Sequence, residues 1–224
     1  EALRLVAAMA LLQLALAAPF LATNPAAYLA RAFGGPGDLQ HAWSVSWRML
    51  PEAAFEHPAF PRALLACHVA LLACFAHGRW IPGGWGAARL RRWSAAGALD
   101  DRATVCLWFA CNFVGVACLR TVHFQYLAWY FHTVPFLAWF ALKPDAHRGL
   151  AWAARCAAVA GLTLAVEVPY LLTARAVVRG PDGRSWETAG APTRAGSCLL
   201  QAAHAALLVL LALRPVHEEG RKEA

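Results

Sequence analysis

An apolar stretch between residues 112 and 139 carries many side chains that can bind or polarise a ligand. It reads NFVGVACLRTVHFQYLAWYFHTVPFLAW. Its hydrogen-bonding and aromatic members are Arg120, His123, Gln125, Tyr126, Trp129, Tyr130, His132 and Thr133. A guanidinium pairs well with phosphate, and imidazole, amide and phenol groups bond to hydroxyls. The set therefore suits a ligand with anionic and hydroxyl groups.

The spacing of these residues predicts one helix with a polar flank. Steps of three and four place four of them on one face, and three more form the adjoining stripe. The first face holds His123, Tyr126, Tyr130 and Thr133. The stripe holds Gln125, Trp129 and His132. Pro135 should kink the helix and free the carbonyl of Phe131.

Two interpretations of this flank compete. Polar side chains within a membrane can bond to neighbouring helices, or form an aromatic belt at the interface. They can also line a cavity or a ligand path. The number of polar groups exceeds what helix packing needs, so we favour a binding wall.

Composition indicates a membrane protein. The chain has 224 residues, of which 60% are hydrophobic and 15% charged, and its mean hydropathy is +0.45. These values are too apolar for a soluble domain of this size. The net charge of +7 comes with arginines in short connections, where they set membrane topology, so we expect no nucleic-acid partner.

Hydropathy predicts an all-α polytopic protein with about six transmembrane helices and one transmembrane region over residues 1–224. The spans are expected at residues 3–22, 62–77, 103–119, 126–142, 150–172 and 195–213, with a cytosolic tail at 214–224. The first connection, residues 23–61, is aromatic and predicts an interfacial helix over 39–55. The chain begins at Glu1 with an apolar run, which we interpret as an internal helix of a longer protein.

Arginines predict the orientation. Residues 78–102 contain Arg79, Arg89, Arg91, Arg92 and Arg102, a signature of a cytosolic connection. Residues 23–61 and 120–125 then lie together on the opposite side of the membrane. The loop at 173–192 is polar and is expected to be flexible.

Other polar residues inside apolar segments are interpreted one by one. His68 is expected to be satisfied by a neighbouring helix. Glu167 is the only carboxylate inside a predicted span, and either bonds to another helix or contacts substrate hydroxyls. The seven cysteines lie in apolar segments without a C-x-x-C pair, so we expect packing residues and no metal site.

Two segments resemble the dolichyl-phosphate-mannose-dependent α-1,3-mannosyltransferases of the endoplasmic reticulum. The stretch described first matches at Asn112, Phe113, Gly115, Arg120, His123, Gln125, Trp129, Tyr130, His132, Thr133, Pro135 and Trp139. The first connection matches at Asn24, Pro25, Tyr28, Leu29, Arg31, Phe33, Trp43, Val45, Trp47, Arg48, Pro51, Glu52 and Phe55. The chain departs from the pattern at Ser46, where the family has Asn, around Gly37 and Asp38, and after Glu167.

The resemblance implies the C-terminal part of a GT-C type glycosyltransferase, a multi-pass protein of the endoplasmic reticulum membrane. Its implied reaction transfers mannose from dolichyl-phosphate-mannose to a dolichyl-pyrophosphate-linked Man5GlcNAc2 oligosaccharide, in α-1,3 linkage on the luminal side, for N-glycan precursor assembly. Both substrates and membrane lipids are the implied partners. No cofactor or metal is expected.

The resemblance also bears on the site residues. The family's essential acidic residue lies in a luminal loop outside this chain, so no catalytic residue is assigned. We expect substrate contacts from Arg31, Trp43, Trp47, Arg48, Arg120, His123, Gln125, Tyr126, Trp129, Tyr130, His132 and Glu167. The alternatives are another dolichyl-phosphate-sugar-dependent membrane glycosyltransferase, or a non-catalytic transporter or scaffold.

Overall fold

The computed structural model describes residues 2–32, 40–81, 86, 101–142, 150–179 and 184–213. It divides into two units, Glu1–Gln40 and His41–Ala224. In the first unit, α1 (Ala2–Thr23) is followed directly by α2 (Pro25–Ala32). The Asn24 side chain accepts a hydrogen bond from the Ala27 amide at 3.0 Å, which caps α2.

The second unit is mainly helical. Its α-helices are α3 (Glu52–Glu56), α4 (Ala59–Phe75), α5 (Asp101–Ala117), α6 (Leu127–Tyr130), α7 (Val134–Ala141), α8 (Leu150–Leu171) and α9 (Arg194–Leu213). A π turn, Ala76–Trp80, continues α4. Three 3₁₀ turns occupy His41–Trp43, Phe124–Tyr126 and Phe131–Thr133.

Four helices in the described ranges are long and apolar enough to cross a membrane. They are Leu3–Thr23, Ala59–Trp80, Leu150–Leu171 and Arg194–Leu213. The remaining helices of the second unit are shorter, and α5, the longest of them, has 17 residues. The described part of the chain is thus a polytopic membrane protein of mostly helical structure.

Helix α9 packs against α5, α7 and α8, and the hydrophobic core lies at these contacts. Leu200 and Leu207 of α9 are fully buried, as are Phe113 of α5 and Leu137 of α7. Helices α8 and α9 approach closely at Gly196, where a Cβ would lie 3.2 Å from the Pro169 carbonyl oxygen. Small residues permit such close helix crossings in membranes.

The all-α prediction is wrong for residues 173–179 and 185–192. They form an antiparallel hairpin of β1 (Thr173–Arg179) and β2 (Ser185–Pro192), with Thr173 opposite Pro192 and Arg179 opposite Ser185. The hairpin packs on the His41–Trp43 turn. The sequence did contain a signal for it, because G-P-D-G at 180–183 is typical of a turn between strands.

The expected interfacial helix is also wrong in its extent. Within residues 40–56 the backbone forms the His41–Trp43 turn, further turns, and only the five-residue α3. Trp47 and Arg48 lie in these turns. The side chains here are fixed by contacts with other segments of the chain, described below.

The predicted helix over 126–142 is interrupted, but not by Pro135. The break falls at Tyr130, whose φ of −142° and ψ of −14° leave the helical region. Pro135 lies in the first turn of α7, where a missing amide costs little. The carbonyl of Phe131 is not free, because it accepts a hydrogen bond from the Val134 amide.

Candidate substrate groove

An open groove of about 380 Å³ lies between α4 and α5. Its walls are mostly apolar and include Leu64, Leu65 and Val116. The polar and aromatic side chains along it are His68, Asn112, Arg120 and Trp129. An apolar groove with a few converging polar groups is the usual form of a small-molecule site.

Arg120 follows α5 and lies at the end of the groove nearest the first connection. Its Nη2 donates to the Phe55 carbonyl oxygen at 3.3 Å, and its guanidinium lies 5.1 Å from the centre of the Phe55 ring. Its Nε is buried and has no hydrogen-bond partner in the described residues. Arg120 is therefore held on one side, with donor capacity that the protein leaves unsatisfied.

Trp129 and Asn112 form the side of the groove next to α6. The Asn112 side-chain amide donates to the Trp129 carbonyl oxygen at 3.1 Å, which ties α5 to α6. The Trp129 ring is 57% exposed and meets the Tyr126 ring at a centroid distance of 4.2 Å. An accessible indole at a membrane groove can pack against an apolar or sugar face of a ligand.

His68 also lines the groove and is half-buried on α4. Its ring passes close to Gly115, where an added Cβ would lie 3.8 Å from Cε1 and Nε2. Within the ranges described above it makes no hydrogen bond or ion pair, so the expected hydrogen bond to a neighbouring helix is absent. Sequence reasoning did not select His68 because a lone histidine on an apolar helix gives no hint of the cavity beside it.

Trp47 belongs to the first connection and contacts a residue that lines the groove. Its Nε1 donates to the carbonyl oxygen of Leu119, a groove-lining residue, at 2.8 Å. Its ring meets the edge of Phe60 at 5.5 Å. The indole N–H is thus already used, and Trp47 supports the mouth of the groove with its ring.

Residues 43–45 of the first connection lie against residues 122–123. The amide of Val45 donates to the Val122 carbonyl oxygen at 2.8 Å. His123 Nδ1 donates to the Trp43 carbonyl oxygen at 3.0 Å. His123 is extended and precedes the helical segment, so it does not share a helical face with Tyr130 as predicted.

Arg48 lies outside the groove lining and pairs with His41. The Arg48 Nη1 donates to His41 Nδ1 at 2.9 Å, and His41 is only 3% exposed. Burial and the Arg48 charge lower the pKa of His41, and burial and the Arg194 charge lower the pKa of Arg48. His41 is therefore held neutral, with Nδ1 as an acceptor.

Acidification should loosen this contact. When the pKa of a histidine is lower in the folded state than in the unfolded state, lowering the pH through the unfolded-state pKa, about 6.5, reduces the free energy of unfolding, because the unfolded chain then binds the proton more readily. We expect the thermal midpoint to drop between about pH 7.5 and pH 5, and to drop less in His41→Asn, which keeps an acceptor but cannot gain a proton. Differential scanning fluorimetry at both pH values measures this, and equal drops in both proteins would contradict it.

Ser46, where the family pattern has Asn, contributes through its backbone. Its carbonyl oxygen accepts hydrogen bonds from Ser197 Oγ and from Gln201 Nε2, both at 2.9 Å. Ser197 Oγ also lies 3.3 Å from the Met49 amide. The first turns of α9 therefore hold the first connection in place next to the groove.

The structure places Tyr130 in the core and not in the groove. Its hydroxyl is hydrogen-bonded to Tyr170 at 3.1 Å and to His204 Nε2 at 3.0 Å, and it is completely buried. Thr133 donates to the Tyr130 carbonyl oxygen at 2.7 Å. This network, formed by Tyr130, Tyr170 and His204, joins α6, α8 and α9.

The other residues expected to contact substrate are not among the residues that line the groove. Gln125 and His132 are exposed, and His132 meets the edge of the Phe109 ring at 5.8 Å. Glu167 is half-buried on α8 and makes no hydrogen bond or ion pair within the described ranges. Arg31 belongs to α2 in the first unit. Of the twelve, the groove lining contains Arg120 and Trp129, with Trp47 and Tyr126 in contact with it.

Comparison with known proteins assigns the chain to a family. A family model described as ALG3 protein matches residues 1–162, which include every residue that lines the groove. The chain belongs to the ALG3 protein family. The β-hairpin and α9 lie beyond the matched residues.

Three similar proteins have the same name. The Dol-P-Man:Man(5)GlcNAc(2)-PP-Dol alpha-1,3-mannosyltransferase of Mus musculus is 41% identical over 143 residues, covering 62% of this chain and 33% of that protein. The Homo sapiens protein of the same name is 41% identical over 133 residues, covering 57% and 30%. The Arabidopsis thaliana protein is 33% identical over 150 residues, covering 60% and 34%. The chain thus spans about a third of the length of these relatives, and no solved structure matches it.

Proposed function

We propose that this chain is part of a mannosyltransferase that moves mannose from dolichyl-phosphate-mannose to dolichyl-pyrophosphate-linked Man5GlcNAc2 in α-1,3 linkage. The relatives in the ALG3 protein family bear the name of this activity. The reaction would take place on the luminal side of the endoplasmic reticulum membrane. The fold would be the C-terminal part of a GT-C type enzyme with about six spans.

The observation that carries the proposal is the position of Arg120 at the end of an apolar groove. A dolichyl phosphate combines a long apolar chain with an anionic head, and the groove offers apolar walls and one guanidinium. Nη2 of Arg120 donates to the Phe55 carbonyl oxygen, so the phosphate would pair with the guanidinium through Nη1. Hydrogen bonds between a guanidinium and a phosphate are among the strongest in proteins.

The role of Arg120 in the reaction follows from charge. Transfer of mannose leaves dolichyl phosphate as an anionic leaving group, so negative charge on the phosphate grows as the glycosidic bond breaks. A fixed cation in a partly dry site stabilises that charge more in the transition state than in the ground state. Arg120 would thereby speed bond cleavage, with the acidic catalytic group supplied from outside this chain.

The remaining groove residues would position the donor. The apolar chain would follow Leu64, Leu65 and Val116, and Trp129 would cover one face of the sugar or the first isoprene units. His68, whose ring makes no hydrogen bond in the described ranges, would bond to the head group. Trp43, Arg48, His123, Gln125, His132 and Glu167 remain proposed substrate contacts outside the groove lining.

Replacement of His68 by alanine tests the groove as the donor site. A lost hydrogen bond to a neutral group costs about 1 kcal/mol, so we expect kcat/KM for dolichyl-phosphate-mannose to fall about fivefold. His68→Gln, which can still donate a hydrogen bond, should recover part of the loss. The assay is transfer of radiolabelled mannose by the full-length protein in microsomes.

His57→Ala is the matched control. His57 is exposed before α4, outside the groove, and its ring Nδ1 accepts a hydrogen bond from the Ala59 amide at 3.2 Å. It should leave the kinetics for the donor unchanged. Wild-type kcat/KM in His68→Ala would refute a donor in this groove, and transfer of a sugar other than mannose by the wild-type protein would favour another dolichyl-phosphate-sugar-dependent enzyme.

A further inference from the structure

A second groove, of about 340 Å³, lies at the other end of α4. It runs between the last turns of α4 and those of α9. Its walls are apolar and include Leu71, Phe75, Leu208, Val209 and Ala212. Residues 61–68 border the first groove and residues 71–79 border this one, so the two grooves lie towards opposite ends of the candidate span Ala59–Trp80.

Among the described residues that line this groove, Arg79 is the cation. Arg79 lines the groove, is half-buried, and makes no hydrogen bond or ion pair with any residue in the described ranges. It belongs to the π turn, in which the Ile81 amide donates to the Ala76 carbonyl oxygen at 2.9 Å. Such turns add a residue to a helix and often occur at functional sites.

We propose that this groove binds an anionic phospholipid of the surrounding bilayer. One acyl chain lies along the apolar walls, and the phosphate pairs with Arg79. A half-buried guanidinium without a protein partner is costly next to lipid, and a phosphate supplies the missing acceptors. The groove volume of about 340 Å³ is within the usual range for ligand pockets and accommodates part of one acyl chain.

The membrane side supports an anionic headgroup. Arg79 begins the arginine-rich connection that the sequence predicts to be cytosolic. Anionic lipids are concentrated in cytosolic leaflets and attract basic residues near the surface, by about 1 kcal/mol for each residue. The inference stands apart from the proposed function, because it concerns neither the first groove nor mannose transfer.

The charge arm of the test uses Arg79→Gln. Purified, delipidated full-length protein in detergent is titrated with dioleoylphosphatidylserine, and bound lipid is counted by native mass spectrometry. Loss of one cation should weaken binding of the tightest lipid about fivefold. Arg62→Gln is the control, because Arg62 is an exposed cation at the opposite end of α4 and should leave this lipid unaffected.

The shape arm uses Gly78→Trp. Gly78 lines the groove, and an added Cβ there meets nothing within 4 Å, so the indole fills the groove without displacing the backbone. The tightest lipid should be lost. Gly161→Trp is the control, since an added Cβ at this exposed position of α8 is equally unobstructed. Wild-type binding in both Arg79→Gln and Gly78→Trp would overturn the proposal, and so would equal binding of dolichyl phosphate at this site.

Discussion

Replacing Arg120 by alanine is expected to lower kcat for mannose transfer by about 100-fold or more in the full-length protein, the usual cost of removing a fixed donor aimed at developing charge. Arg120 stands at the end of the first groove with an unsatisfied Nε. Its loss removes the cation that would stabilise the departing dolichyl phosphate. The radiolabelled transfer assay in microsomes measures the effect.

Two further variants separate catalysis from folding. Arg120 also donates to the Phe55 carbonyl oxygen, so alanine could weaken the attachment of α3. Arg120→Lys keeps the charge but not the planar fork of donors, and should show an intermediate rate. Arg62→Ala removes an exposed cation near the same membrane surface and should show wild-type transfer. Near wild-type turnover in Arg120→Ala would refute its role at the leaving group.

Replacing Tyr130 by alanine is expected to destabilise the second unit by about 3–5 kcal/mol, the range for removing a large buried aromatic side chain. Tyr130 is completely buried, packs near Phe113 at a centroid distance of 6.1 Å, and bonds to both Tyr170 and His204. The variant leaves a cavity and two polar groups without a partner. Thermal unfolding of the purified protein in detergent measures the change.

Tyr130→Phe separates the hydroxyl from the ring. It keeps the packing but removes both hydrogen bonds, and membrane hydrogen bonds average about 0.6 kcal/mol each, so a loss of about 1 kcal/mol is expected. Transfer activity per folded molecule should remain close to wild type, because Tyr130 does not reach the groove. A large loss of activity in Tyr130→Phe without a loss of stability would instead assign Tyr130 to substrate, as the sequence analysis expected.

Tyr130 and Trp129 show why the polar flank could not be resolved from spacing. A uniform helix of 3.6 residues per turn would keep His123, Tyr130 and Thr133 on one face. In the structure His123 is extended, and 3₁₀ turns with three residues per turn lie on either side of α6. These turns shift the phase of the side chains, so that Tyr130 enters the core while Trp129 borders the groove.

His68 and the β-hairpin were missed for related reasons. The surroundings of His68 depend on Gly115, which is far away in the chain and becomes its neighbour only when α4 packs on α5. The hairpin had a turn signal, but its strands alternate weakly, and its burial depends on packing against the His41–Trp43 turn. Local patterns do not report such distant contacts.

The sequence by itself determined the membrane class and the family. Hydropathy and motif spacing are local properties of the sequence, so they can be read without knowledge of the tertiary structure. Only the tertiary structure decided which polar groups line a groove and which are satisfied inside the core. That choice depends on α9, whose His204 bonds to Tyr130 and whose Ser197 bonds to the Ser46 carbonyl oxygen, and on the packing of α4 beside α5, which places His68 and Arg120 along the groove.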